Sequence, residues 1–388
     1  MQRFITCILI LCFISPSLST RSNVGTTNDI YNVMDYGAVG DGKTDDTKAF
    51  ASAWSKTCNG GGMSTLVIPS GKSFLVTTVN FIGPCKAKIL IQFEGQIVAP
   101  PKDGWKGGAY FISIERVNGL TIDGNNQGGI DGDGSTWWGC QSCNRPGVLY
   151  FHACNDLSVN KLKISNSPKV HVSVNQCNHA TFSGISIDSP ATSPNTDGFD
   201  ISFSTYVLIQ DSNIKAGDDC IAINGGSSFI NATGVYCGPG HGISVGSLGK
   251  KRPDDRVSNV YVRNCTFTGT QNGARIKTVL GGTGYAKNIT YEEIILQNVR
   301  NPIYIDQGYN ARLDDDTSML VSSVTYRGFT GTSSVVFAIN LNCSSSGCFD
   351  ILLDQNNIVT PGKTASAFCK NAHGTATNTI PNVNCLSK

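Results

Sequence analysis

Glutamate is scarce in this chain of 388 residues: of 28 acidic residues, 4 are Glu and 24 are Asp. Glu favours helix interiors, whereas Asp and the 43 Gly favour turns, so the composition argues against a mainly helical protein. Charge is sparse too, at 15% of residues. With Lys+Arg 30 against Asp+Glu 28, the net charge of +2 gives no general attraction to nucleic acid or anionic membrane. Any cationic site for an anionic ligand must therefore be local. Bilayer-length apolar runs are missing; the run from Ile5 to Ile14 is too short to span. Gly and Pro together fall well short of a collagen-like or disordered composition. What the chain does have is 40% hydrophobic residues, ample for a core.

The start reads as a secretory signal, residues 1–20. Arg3 supplies the charge, Ile5 to Ile14 the apolar region, and Ser17-Leu18-Ser19 the small residues for cleavage. The mature part, 21–388, shows no linker or composition break and reads as one secreted, soluble domain. Removing Cys7 and Cys12 leaves an odd number of cysteines, so at least one thiol stays free or pairs between chains. The best local disulfide candidates are Cys343 with Cys348, Cys369 with Cys385, and Cys220 with Cys237. Cys140 and Cys143 could instead bind zinc, but no second pair sits at a suitable spacing. Asn231, Asn264, Asn288 and Asn342 begin glycosylation sequons.

From Leu120 onward, short β-type triplets recur. They begin at Leu120, Leu157, Ala180, Val207, Phe229, Val260, Ile289 and Val324. From Leu157 to Ile289 the spacings are 23, 27, 22, 31 and 29 residues. A floor near one value with irregular excess suggests one structural rung per repeat, with loops of varying length. A β-sandwich would instead show hairpin turns every 8–12 residues or so. The expected fold is all-β, a right-handed parallel β-helix. Asp45-Asp46-Thr47, followed by Phe50, Ala53 and Trp54, predicts an N-capped amphipathic helix covering the N-terminal end.

Four clusters carry candidate chemistry: Asn195-Thr196-Asp197-Gly198, Gly217-Asp218-Asp219-Cys220, Gly240-His241-Gly242 and Arg275-Ile276-Lys277. Asp197 and Asp218 are 21 residues apart, Asp218 and His241 23, each about one rung. Residues one rung apart lie side by side, roughly 4.8 Å by backbone. Three carboxylates and an imidazole therefore converge, beside a cationic edge of Arg275 and Lys277, which point the same way. Each cluster alone has an ordinary reading as a turn or a solvated face. Calcium is a rival use of the carboxylates, opposed by the neighbouring cations. Their shared phasing favours glycoside hydrolysis, which needs one carboxylic acid and a second carboxylate to activate water or attack. The cations suit a substrate bearing carboxylates, a polyuronide.

These four clusters in this order resemble the signature of the polygalacturonases, glycoside hydrolase family 28. Tyr36-Gly37-Ala38, the run from Asp41 to Thr47, Ile122-Asp123-Gly124 and Trp137-Trp138 resemble the N-terminal half of plant members. The resemblance covers nearly the whole mature chain. It implies hydrolysis of α-1,4 bonds between galacturonic acids in de-esterified pectin, with inversion and without metal or organic cofactor. It further implies Asp218 as general acid, Asp197 and Asp219 as the carboxylates that activate water, and His241 as a tuner of the acid. Arg275, Lys277, Tyr309 and Asn195 would bind substrate. A secreted, wall-located monomer is expected, open to wall inhibitor proteins. Plant members often have Cys after that tyrosine, but here Asn310 follows, then Asp314-Asp315-Asp316. Two rival functions share this architecture, a calcium-dependent pectate lyase and a wall-binding protein without turnover.

Overall fold

The computed structural model describes residues 28–140, 142–250, 254–309 and 317–387. The expected signal segment, Asn310 and Asp314–Asp316 lie outside the described residues.

The chain winds as a parallel β-helix whose turns have three faces. One turn runs through Asn155–Asn160, Lys163–Ser165 and Val172–Asn175, and the next starts at Asn178–Ser183. Farther along, single long strands, Asp255–Thr268, Gly284–Val299 and Leu320–Ser333, run across the first two faces. Corners between these faces use left-handed residues such as Lys161 and Asp211, at φ 53 and 49.

Register explains the sequence repeat. Leu157, Ala180, Val207, Ile230, Val260, Ile289, Val324 and Ile351 are successive partners, each buried. Two residues on, Val159, Phe182, Ile209, Ala232, Val262, Tyr291, Tyr326 and Leu353 form a second buried column. One expectation is corrected here. The triplet that was expected to start at Phe229 is in register from Ile230, because Phe229 has φ 57 and its ring points outward. The excess goes into the loop ahead of Phe199–Ser202 in one rung, which carries Asn195 and Asp197, and into the segments that follow Ile243–Leu248 and Asn272–Thr278 in two later rungs.

The N-terminal helix forms as Thr47–Asn59 and buries Ala49, Phe50, Ala53 and Trp54. Phe50 meets Phe74 edge-on at 5.3 Å and Trp54 stacks on Phe81 at 4.6 Å, both partners lying in early strands. Burying each aromatic side chain contributes roughly 1.5–3 kcal/mol. The capping detail differs from expectation: Asp45 accepts from Thr47 N, while Asp46 turns back to bind Val39 N and Gly40 N. The three expected disulfides are present, and Cys140–Cys143 and Cys58–Cys85 are disulfides as well. Cys154, Cys177 and Cys265 are free and buried.

Candidate active site

Phe199, Ile221 and Ile243 are register partners on the third face. Asp197, Asp219 and His241 each stand two residues ahead of one of them, so they form a column at the entrance to that face. The sequence spacing took Asp218 as the rung partner of both Asp197 and His241. The column instead passes through Asp219, and Asp218 lies one residue outside it, its side chain turned to His241.

Short polar links hold these turns in place. Thr196 Oγ1 accepts from Gly217 N at 2.9 Å, tying one acidic cluster to the next. A Cβ on Gly217 would sit 1.9 Å from Ser193 O, so only glycine fits there. Gly242 has φ +88, and a Cβ on it would lie 2.2 Å from Asn272 O. The Cys220–Cys237 disulfide joins the acidic turn to the stretch leading to His241. Asp218 O accepts from His241 N at 2.7 Å, which fixes the imidazole against the acid beside it.

Asp218 and Asp219 have different surroundings. Asp218 Oδ1 lies 2.9 Å from His241 Nδ1 and accepts from Asp219 N at 2.9 Å. Its other oxygen accepts from Asn195 Nδ2 at 3.4 Å. Asp219 is ion-paired on both oxygens: Oδ1 to Arg275 Nη2 and Oδ2 to Lys277 Nζ, each at 2.6 Å. Ser244 Oγ donates to Asp219 Oδ1 at 2.8 Å and accepts from Arg275 Nε at 2.9 Å. Tyr309 covers the cations, its ring centre 5.9 Å from the Arg275 guanidinium carbon and 5.3 Å from Lys277 Nζ. The sequence spacing predicts a cationic edge at Arg275 and Lys277, beside the acidic centre. Each is only 6% exposed, because the buried Asp219 draws both inward.

All eight residues singled out in the sequence gather here, and others join them. Asp200 lines the same groove and accepts from Asn224 Nδ2 at 3.3 Å. The motif could have signalled it, since Asp200 follows Asp197 by three residues. Arg145 donates to Asn195 Oδ1 at 2.7 Å and so orients the amide that faces Asp218. His171 is buried beneath Asp197, its Nδ1 2.9 Å from Asp197 O. Tyr110 and Tyr150 stack at 4.2 Å, six degrees from parallel, and line the groove toward its N-terminal end. No sequence signal marked Arg145, His171 or this tyrosine pair, because partners 50 or 26 positions apart in sequence, or a stacking contact, leave no local pattern. The groove holds roughly 530 Å³.

Electrostatics separates the carboxyls. Burial, then Asp200, Asp218 and Asp219, push Asp197 well above the usual carboxylate range, with Lys277 opposing. Burial and Asp219 raise Asp200 to about 6. Burial also presses Asp218 upward, but the His241 hydrogen bond and charge, with Lys277, outweigh it and leave Asp218 below its ordinary value. Burial lowers His171 to about 4, which makes it a neutral support. Carboxyls pushed apart in this way can divide acid and base roles.

Ligand atoms of Asp218, Asp219 and His241 lie within 4.8 Å of one another, near enough to hold a cation. Both Asp219 oxygens already accept from cationic side chains, so a metal ion would have to displace one of them or add its charge to theirs.

The family model described as "Glycosyl hydrolases family 28" matches residues 58–380. A probable polygalacturonase of Arabidopsis thaliana is 43% identical over 93% of this chain and 81% of its own length. Polygalacturonase-2 of Solanum lycopersicum is 36% identical over 94% of this chain and 83% of its own. Among solved structures, the endo-xylogalacturonan hydrolase from Aspergillus tubingensis superposes with a TM-score of 0.77 at 30% identity. That match covers 90% of this chain and 98% of the other.

Proposed function

The chain belongs to glycosyl hydrolase family 28 and is a glycoside hydrolase, and from that premise we propose that it cleaves α-1,4-galacturonosyl bonds of de-esterified polygalacturonate with inversion. The observation that carries this reading is the division of labour between the adjacent acids, Asp218 on His241 and Asp219 between Arg275 and Lys277.

In this reading, Asp218 and His241 share a proton, and Asp218 delivers it to the glycosidic oxygen as the bond breaks. Asn195, held by Arg145, keeps the second Asp218 oxygen oriented. On the other side of the sugar ring Asp219, ion-paired on both oxygens, takes the proton of the attacking water, and Asp197, raised by its surroundings, holds that water in place by a hydrogen bond, as inversion requires. Arg275 and Lys277 hold Asp219 in place, and their remaining N–H groups meet a substrate carboxylate at the reacting sugar. Tyr309 closes over that position. The stacked Tyr110 and Tyr150 present an aromatic shelf on which a more distant sugar can rest. The protein acts outside the cell, on wall pectin, after export directed by its N-terminal segment.

An assay of new reducing ends on polygalacturonate, highly methyl-esterified pectin and a neutral glucan tests the reading. Reducing ends should appear on polygalacturonate, fall off with esterification and be absent on the glucan. Equal activity on the esterified polymer would contradict an anionic substrate.

A further inference from the structure

A second groove, of roughly 480 Å³, lies on the first face of the coil. It begins where an outward aromatic ladder stops. His179 stacks on Tyr206 and Tyr206 on Phe229, each pair at 4.8 Å and within ten degrees of parallel. Rings inside the ladder cover one another. The next position in this column is Asn259, which lies between the register pairs Ser228↔Ser258 and Ile230↔Val260. A short amide follows Phe229 there, so one face of the 44% exposed Phe229 ring opens onto the groove.

Asn231 stands in the same groove, two residues after Phe229 and in register between Leu208 and Tyr261. It is exposed, and it opens the sequon Asn231-Ala232-Thr233. The acceptor amide is therefore part of the groove's own lining. Across the groove, Asn288 opens a second sequon, but its Nδ2 donates to Asn259 Oδ1 at 3.3 Å.

We propose that Asn231 carries an N-linked glycan and that this groove seats its first sugars, the apolar face of the proximal N-acetylglucosamine resting on the open Phe229 ring. Leu208 and Tyr261 form the walls. The proposal rests on the secreted reading, because the modification occurs in the secretory lumen. The bond formed joins Asn231 Nδ2 to C1 of the first sugar. The bond broken is that sugar's C1–O link to its lipid-diphosphate donor, which departs as the diphosphate while the amide loses one proton. Transfer precedes folding, so Phe229 affects how the glycan is held and not whether it is attached. A seated glycan would also cover an apolar patch that otherwise stays in water.

The test is to secrete the full chain from a eukaryotic host, map occupancy by glycopeptide mass spectrometry, and time native release by peptide N-glycanase. Asn231 should be occupied. Release from Asn231 should be roughly fivefold faster in Phe229→Ser, the factor that about 1 kcal/mol of ring packing represents. Release from denatured chains should not differ. A bare Asn231 beside a modified Asn264 overturns the proposal, and so does an unchanged release rate. If every sequon is bare, the secreted reading falls with it. Should Phe229→Ser fail to fold, Tyr261→Ser removes a wall of the same groove and makes the same prediction.

Discussion

Asp219 accepts from Arg275 and Lys277 at equal distances of 2.6 Å, one cation on each oxygen. In the proposed mechanism the cations have two duties, holding the Asp219 carboxylate and meeting the substrate. Lys277→Ala leaves Asp219 buried with half its charge partners gone. Loss of one partner from such a pair costs about 3–5 kcal/mol, so the melting temperature should fall clearly. Turnover and affinity should fall together. A variant with normal stability and kcat, but raised KM, would show that Lys277 is a substrate clamp alone.

Asp218→Asn keeps the shape of the acid and removes its proton. Turnover should drop by at least 10²–10⁴-fold, the usual worth of general acid catalysis, with an unchanged melting curve. Near-normal activity in the folded variant would move the acid role elsewhere, and Asp197, the carboxyl raised furthest by its surroundings, would be the next candidate.

His241→Ala should act through Asp218. Without the imidazole, Asp218 loses the interactions that hold it low, so its pKa rises. An acid must be protonated to work, and activity is lost as pH rises through its pKa. The alkaline limb of the kcat/KM profile should therefore move to higher pH while peak activity falls. A profile that only scales down without shifting would reduce His241 to a structural role.

How much of this was visible in the sequence follows from how local each signal is. The core columns could be read because an inward strand residue recurs once per rung, as Leu157, Ala180 and Val207 do. Phe229 broke the count because a left-handed residue and an inward residue look alike in a triplet. The four site clusters could be read because their motifs are contiguous. The burial of Arg275 and Lys277 could not, since it depends on Asp219 lying two rungs away with both oxygens free to receive them. Arg145 was hidden for the same reason: it reaches Asn195 across fifty residues of chain.

Asp200 offers a stability test with a definite sign. Its carboxyl is raised to about 6, so the folded protein prefers it protonated. That contribution is whole below the unfolded value near 4 and is lost as pH rises through about 6. Asp200→Asn removes the penalty of charging a buried group. The variant should match the parent at pH 4 and exceed it by about 2 kcal/mol at pH 7 in denaturant titrations. A variant less stable than the parent at pH 7 would mean that the charged carboxylate is favourably held by Lys277.

Tyr150→Ala removes half of the stacked pair. Loss of one aromatic contact to a distant sugar should raise KM for the polymer roughly tenfold, with little change on the shortest cleavable oligomers. Equal effects on long and short substrates would place the tyrosine shelf outside the path of the chain.

The most direct test follows the first seconds of polygalacturonate digestion by proton NMR, with and without chelator, for the parent chain and Asp218→Asn. The account predicts saturated reducing ends that appear first as the β-anomer, persist under chelation and vanish in the variant. New α-anomer ends would contradict the inverting arrangement of Asp197, Asp218 and Asp219. Unsaturated ends that disappear on chelation would contradict hydrolysis itself.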